Sequence, residues 1–192
     1  TICWLLLLCI ATGEQSVHVG APITTLDKAA LSSIRELEGA VHRVGSDWEV
    51  EFQLRGRSLN DEGLARVPAL KNVVSLNFRD TNMKGAGLVY LKGHKKLRIL
   101  HFGRTAVGDE GVANLAALKN LEYLNLDATK IPEKAFGHLS GFTHLKRLYV
   151  WQTSVTDAGV AALQAKLPSL TVVRGIDLSK LPRSDQSVSK KP

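Results

Sequence analysis

LRILHFGRTAVGDEGVANLAALKN (97–120), LEYLNLDATKIPEKAFGHLSGFTH (121–144) and LKRLYVWQTSVTDAGVAALQAKL (145–167) are consecutive segments whose apolar residues align in columns. Leu97, Leu121 and Leu145 open the three segments, at a spacing of 24 residues. VVSLNFRDTNMKGAGLVYLKGHKK (73–96) forms the segment before them, and a weaker one begins at about Glu49. A repeat of this length indicates that stacked copies of one supersecondary unit fill the middle of the chain.

Within each unit, the spacing of the apolar residues changes from that of a strand to that of a helix. Positions 4 and 6, such as Leu124 and Leu126, are separated by one residue, which is typical of a short strand with one buried face. Farther on, Val112, Leu115 and Leu118 recur at helical spacing. Such a unit cannot bury its apolar face alone. The sequence therefore predicts an α/β solenoid, a horseshoe arc with a parallel sheet on the concave side and short helices on the convex side.

The pattern LxxLxLxxTxΦxxxGΦxxLxxL (Φ apolar) resembles the leucine-rich repeat family, and SVTDAGV (154–160) is similar to the TDxG(L/V) segment of bacterial members. The resemblance implies a secreted, periplasmic or cell-surface module, of a kind sometimes fused to a c-type cytochrome. At position 9 the family more often has Asn or Cys, whereas this chain has a column of threonines: Thr81, Thr105, Thr129 and Thr153. We predict that these hydroxyl groups bond the loop backbone and that the column is structural.

The first thirteen residues, TICWLLLLCIATG, combine an uncharged apolar run with a small-residue cleavage pattern at Ala11-Thr12-Gly13. This run is too short for a membrane span. Because the only methionine is Met83, we predict a signal peptide over 1–13 that lacks its first residues, with a buried element or a retained anchor as alternatives. Both cysteines, Cys3 and Cys9, lie in this segment, so the mature chain would have no thiolate for a metal, a nucleophile or a haem attachment.

The remaining chain divides into a linker (14–23), an N-terminal cap (24–48), about five repeats with a partial sixth strand (49–180) and a disordered tail (181–192). In the cap, Thr24 and Asp27 predict a capping box at the start of a helix that ends near Gly39. Residues 40–44 and 48–54 predict a hairpin that leads into the first repeat. For the tail, a linker to a further domain is the alternative.

Charge and motifs argue against several classes of function. The formal net charge of +7 favours acidic partners weakly, and the densest basic run, KGHKKLR (92–98), is predicted to be a solvated turn between a helix and the next strand. Nucleic acid is a poor partner for an exported protein without interleaved basic and aromatic residues. The sequence has no GxSxG, HExxH or Walker motif, and its six histidines share no ligand spacing. We therefore predict no catalytic residue, no cofactor and no metal site.

The concave side is the predicted binding face, because positions 3, 5 and 7 of each unit point away from the leucine core. In the first unit these positions are assigned to Glu51, Gln53 and Arg55. The candidate partner-binding residues come from the following units: Asn77, Arg79, His101, Tyr123, Asn125, Arg147, Tyr149 and Trp151. Tyr, Trp and Arg dominate binding hot spots, so the C-terminal part of the face is predicted to be the contact patch. Packing against a terminal cap is the alternative role for its aromatic residues.

The sequence predicts a monomeric, non-enzymatic scaffold that binds a protein through its concave sheet. A carbohydrate or cell-wall binding module is one alternative, for which the aromatic rings and the row Asn77, His101, Asn125 are suited. An accessory subunit that docks to a redox or hydrolytic enzyme is a second alternative, and an enzyme in its own right is the third and weakest.

Overall fold

The computed structural model describes residues 23–53, 58–65 and 70–175, which include a seven-stranded sheet with its strands in sequence order. The predicted signal peptide, the linker up to residue 22 and the predicted tail lie outside the described residues.

The N-terminal cap consists of a helix and a hairpin. Helix α1 (Thr25–Glu36) begins with the predicted capping box, in which Thr24 and Asp27 exchange side-chain and backbone hydrogen bonds. Strands β1 (Ala40–Val44) and β2 (Asp47–Glu51) pair in antiparallel fashion, and the turn between them places Gly45 at a φ of 62°. The buried side of α1, formed by Ala30, Leu31 and Ile34, closes the apolar end of the sheet. The predicted helix and hairpin are confirmed.

Five strands continue the sheet in parallel from β2: β3 (Val73–Asn77), β4 (Ile99–His101), β5 (Tyr123–Asn125), β6 (Arg147–Tyr149) and β7 (Thr171–Val173). Strands β3 to β6 are in the register that the repeat predicts, because Leu76, Leu100, Leu124 and Leu148 lie side by side. For strand β7, aligning Leu170 with Leu145 predicts that the unit before it is one residue longer; this is wrong, because Val172 pairs with Leu148 at the usual offset of 24 residues. Strand β2 is thus both the second strand of the hairpin and the first strand of the parallel sheet.

The first unit departs from the predicted register. Glu49 pairs with Ser75 and Glu51 with Asn77, so Glu51 takes position 5 and not the predicted position 3. Gln53 moves from position 5 to position 7, and Arg55, assigned there by sequence, lies outside the described residues. The convex parts of the units still align at 24 residues, so two additional residues fall between Phe52 and Leu59.

The convex side is built from short and irregular helices. They are a 3-10 helix (Ala86–Gly93), α2 (Asp109–Asn114) followed by a 3-10 turn (Leu115–Ala117), a 3-10 turn (Glu133–Ala135) leading into α3 (Phe136–Leu139), and α4 (Asp157–Lys166). Thr156 caps α4 by accepting a hydrogen bond from Gly159 N, whereas the fourth unit starts its convex part after Pro132 without a side-chain cap. In the described part of the chain, no helix has the length and apolar character of a membrane span.

The core between sheet and helices is one continuous apolar cluster. Leu76, Leu100, Leu124 and Leu148 form a fully buried row at position 4. At position 6, Phe52, Phe78 and Phe102 stack with centroids 5.4 Å apart in each pair. Neighbouring units are therefore joined by side-chain packing as well as by the sheet, which fixes the concave face as one surface.

The threonine column lies just beyond the strands. Each hydroxyl donates to the carbonyl oxygen three residues earlier in its own unit, at 2.6–2.7 Å, in Thr81, Thr105, Thr129 and Thr153. The hydroxyl groups bond backbone, as predicted, but each bond closes the turn of its own unit and does not reach an adjacent unit, as the family's residue at this position does.

Replacing Thr105 with valine is expected to lower the free energy of unfolding by about 1 kcal/mol, because the Phe102 carbonyl loses a buried hydrogen bond. Valine keeps the shape, so urea denaturation of the variant measures the bond itself. Thr171→Val removes an exposed strand hydroxyl and is the control, with a change within about 0.5 kcal/mol. Equal effects of the two substitutions would contradict a structural role for the column.

Candidate functional site

The concave face is formed by the strand residues that alternate with the buried leucines. Position 3 runs along Ser75, Ile99, Tyr123, Arg147 and Thr171, and position 5 along Glu51, Asn77, His101, Asn125, Tyr149 and Val173. Adjacent strands lie about 4.8 Å apart, so side chains in one row touch or nearly touch. Six of the eight predicted residues are therefore in these two rows, and Arg79 and Trp151 follow at position 7, just beyond the strands.

Three of them form an aromatic ladder across β4, β5 and β6, consisting of His101, Tyr123 and Tyr149. The His101 and Tyr123 ring centroids are 4.8 Å apart at an interplanar angle of 44°, and those of Tyr123 and Tyr149 are 5.0 Å apart at 34°. Each side chain is half-buried. The contacts occur on the diagonal between positions 3 and 5, so the ladder spans both rows of the face.

His101 and Tyr123 of the aromatic ladder are uncharged near neutral pH. Burial lowers the pKa of His101, and the nearby Arg79 guanidinium lowers it further, while Glu51 acts weakly in the opposite direction. Burial raises the pKa of Tyr123. The neutral imidazole of His101 and the protonated phenol of Tyr123 can each donate or accept hydrogen bonds, which gives the ladder polar groups on an apolar body.

Trp151 extends this surface at position 7 and is half exposed. Its backbone N–H donates to Asp127 Oδ1 at 2.8 Å. The indole packs over Gly175, where an added Cβ would lie 2.7 Å from the ring nitrogen. The sequence left open whether Trp151 serves binding or packing; in the structure part of the ring packs on the C-terminal segment and part is open to solvent.

Asn125 is buried, at 7% exposure, although its position in the row predicted a contact residue. Its Oδ1 accepts from Asp127 N at 3.0 Å, and its Nδ2 donates to Asp127 Oδ2 at 3.1 Å. Asp127 in turn holds Trp151 N. Asn125 therefore supports the loop that carries Trp151 and is shielded from a partner.

The N-terminal half of the face is polar. Asn77 Nδ2 donates to Gln53 Oε1 at 2.9 Å, and Asn77 Oδ1 accepts from Arg79 N at 3.1 Å. Arg79 is exposed and its Nε lies 3.4 Å from Asp80 Oδ2. These residues adjoin the aromatic ladder at His101, because Asn77 pairs with His101 in the sheet.

Arg147 lies at the other margin of the face, beside Tyr123 in the position 3 row, and is exposed. Within the described residues, no carboxylate forms an ion pair with it. Its charge is therefore available beside the aromatic ladder.

Sequence reasoning did not select Asp127, Glu51 or Gln53. Asp127 could have been found from its position, because a carboxylate at the end of a strand can bond the backbone of the next unit. Glu51 and Gln53 were assigned two positions away, for the register reason given above.

In residues 23–53, 58–65 and 70–175, no three His, Cys, Asp or Glu side chains are grouped as a metal site would require.

Comparison with known proteins identifies the repeat. Residues 93–116 match the family model described as "Leucine Rich repeat". Among solved structures, an internalin from Listeria monocytogenes is 20% identical with a TM-score of 0.51, over 59% of this chain and 32% of that one. Internalin C2 from the same organism is 22% identical with a TM-score of 0.46, over 58% of this chain and 44% of that one. A leucine-rich repeat protein from Leptospira interrogans is 15% identical with a TM-score of 0.47, over 56% of this chain and 27% of that one.

The chain thus matches less than half the length of each of these structures. None of the curated protein sequences matches it.

Proposed function

We propose that the chain, whose residues 93–116 match the leucine-rich repeat model, is a non-enzymatic leucine-rich repeat scaffold that binds another protein through the C-terminal half of its concave sheet. The observation that carries the proposal is the aromatic ladder His101, Tyr123 and Tyr149, continued by the half-exposed Trp151. Solenoids use their extended concave surface for binding, and aromatic side chains supply large contact area with few rotatable bonds.

The geometry of the ladder favours a protein over a glycan. The rings of His101, Tyr123 and Tyr149 face one another along the sheet at centroid distances near the strand spacing. Their faces are thus partly covered by each other, whereas a sugar ring stacks on an open aromatic face. The half-buried rings combine apolar area with polar groups, which suits the mixed apolar and polar surface of a protein.

Support for export comes from the N-terminal segment, whose apolar run and small-residue pattern in 1–13 are those of a signal peptide. We extend the proposal to a secreted, periplasmic or cell-surface location and to a monomer. A partner that is itself a redox or hydrolytic enzyme would make the chain an accessory subunit, and identification of the partner distinguishes this case.

The proposal is tested by crosslinking capture from an extracellular or periplasmic fraction, using the parent chain and Tyr123→Ala/Tyr149→Ala/Trp151→Ala. A convex double variant, Val89→Ala/Tyr90→Ala, is the matched control, because it also removes exposed apolar area. We expect affinity for the captured protein to fall about thirtyfold in the concave variant and to be unchanged in the control. Circular dichroism confirms that each variant is folded.

Equal capture by the two variants would refute the concave face as the binding site. Capture that survives protease digestion of the fraction would assign the site to a glycan and refute the protein partner.

A further inference from the structure

Positive charge is concentrated on one edge of the solenoid, where the convex elements return to the strands. The three connections 93–99, 117–123 and 141–147 contain six basic residues and a single acidic one, Glu122. The basic residues are Lys95, Lys96, Arg98, Lys119, Lys146 and Arg147, here called the basic edge. These 21 residues thus contribute +5 of the chain's +7, so the charge is not spread evenly over the surface.

Two lysines of the basic edge occupy the same position in successive repeats. Lys95 and Lys119 are 24 residues apart and both exposed. Their backbones are held by side chains of the next unit: Asn120 Nδ2 donates to Lys95 O at 2.7 Å, and His144 Nδ1 lies 3.1 Å from Lys119 O. The predicted solvated turn at 92–98 is therefore one member of a series of connections whose backbone is fixed by the neighbouring repeat.

The acidic groups of the structure neutralise only part of the basic edge. Glu122 lies 2.7 Å from both Arg98 Nε and Lys146 Nζ, which lowers its pKa to about 2 and keeps it ionised. Lys96 Nζ lies 3.1 Å from Asp47 Oδ1. Among the described residues, Lys95, Lys119 and Arg147 form no ion pair. One cation per repeat thus remains available along three successive units.

We propose that the basic edge binds an extended acidic segment of the protein partner. Successive residues on one side of an extended chain are about 6.6 Å apart, and repeats of the solenoid are about 4.8 Å apart at the sheet and farther apart toward the convex side. Alternate carboxylates of such a segment can therefore each approach one of the long side chains of Lys95, Lys119 and Arg147, which lie one in each of the three connections. The inference rests on the proposed function, because that function supplies the protein partner. Binding of an acidic peptide to the basic edge can be tested without that partner.

Continuity with the concave face supports one partner for both surfaces. Arg147 belongs to the basic edge and also neighbours Tyr123 in the sheet. The large apolar side chains that are exposed in the described chain, including Val89, Tyr90 and Trp151, lie outside the three connections. Within the three connections Tyr123 is half-buried and no Phe, Tyr or Trp is exposed, so the basic edge itself offers neither the row of open aromatic faces of a single-stranded nucleic-acid site nor the apolar residues that enter a membrane.

The probe is a fluorescent decaglutamate peptide, whose binding is followed by anisotropy at low ionic strength. Lys95→Glu/Lys119→Glu is expected to weaken binding about tenfold, because two attractions become repulsions. Lys84→Glu/Lys130→Glu makes the same charge change on the opposite edge, where both lysines are also exposed, and is expected to change affinity less than about twofold. Binding should weaken in about 1 M salt.

Equal weakening by both double variants would overturn the proposal, because binding would then follow net charge alone. Tighter binding of an oligothymidylate with the same number of charges would also overturn it. Since no partner is present in this assay, its result is independent of the aromatic variants that test the concave face.

Discussion

Replacing Gly87 with alanine is expected to lower the free energy of unfolding by about 3 kcal/mol, the upper part of the range for overpacking substitutions. Gly87 lies in the 3-10 helix Ala86–Gly93 and is buried against the preceding unit. A Cβ there would lie 2.7 Å from Asp61 Cα and 2.9 Å from Asp61 C. Both are backbone atoms, so the clash cannot be relieved by turning a side chain, and the two units must move apart.

The position of Asp61 is itself fixed. Its Oδ1 accepts from Gly85 N at 3.1 Å, and its Oδ2 accepts from Lys84 N at 3.3 Å. Separating the units to admit a methyl group at residue 87 would weaken these two hydrogen bonds as well. The close approach at Gly87 is thus part of the contact that sets the repeat spacing on the convex side.

Gly93→Ala is the matched control, because it changes the same residue type at the end of the same 3-10 helix. An added Cβ at Gly93 meets no atom within 4 Å. We expect a change within about 0.5 kcal/mol in urea denaturation. If Gly87→Ala and Gly93→Ala unfold at the same urea concentration, the tight contact between units does not contribute to stability.

The repeat spacing predicted the register of β3 to β6, but the first unit shows where such reasoning fails. Val50, Phe52 and Leu54 alternate with polar residues, so a shift of two residues leaves the same apolar pattern. The alignment of Leu59 with Met83 kept the 24-residue spacing on the convex side. Nothing in the local pattern indicated that two additional residues precede Leu59.

The sequence predicted which face of the sheet carries the candidate site, but not the contacts and burial of its side chains. Strand alternation placed Tyr123, Tyr149 and His101 on one face, as the sheet register bears out. Their ring contacts and the burial of Asn125 depend on side-chain conformations that neighbouring strands select together. A sequence position cannot reveal these, because the same row holds both a shielded amide and half-buried rings.

Replacing His94 with leucine is expected to raise the free energy of unfolding by about 2 kcal/mol at neutral pH, because a buried polar group without a partner is costly. His94 is only 6% exposed, and its Nε2 is one of two buried side-chain polar atoms without a hydrogen bond in the described residues. The same position holds Leu70, Leu118 and Phe142 in other units, so the space suits an apolar side chain.

The gain from His94→Leu should increase as the pH falls. Burial lowers the pKa of His94 below its ordinary value of about 6.5, so the unfolded chain binds a proton here at a higher pH than the native state does. The parent therefore has full stability above about pH 6.5 and loses stability as the pH falls toward the lowered pKa. Leucine cannot titrate. Burial lowers the pKa of His101 in the same direction, but that contribution is common to parent and variant and cancels in their difference.

His94→Gln separates the cost of a buried polar group without a partner from the cost of proton uptake in the unfolded chain. Glutamine keeps a polar group in the buried position and does not titrate. In urea denaturation, the glutamine variant should have the same free energy of unfolding as the parent at about pH 8 and a higher one at about pH 5. The leucine variant should have a higher free energy of unfolding than the parent at every pH, and the difference should increase as the pH falls. Parallel pH curves for the parent and the leucine variant would mean that His94 takes up its proton equally in both states, which its burial argues against.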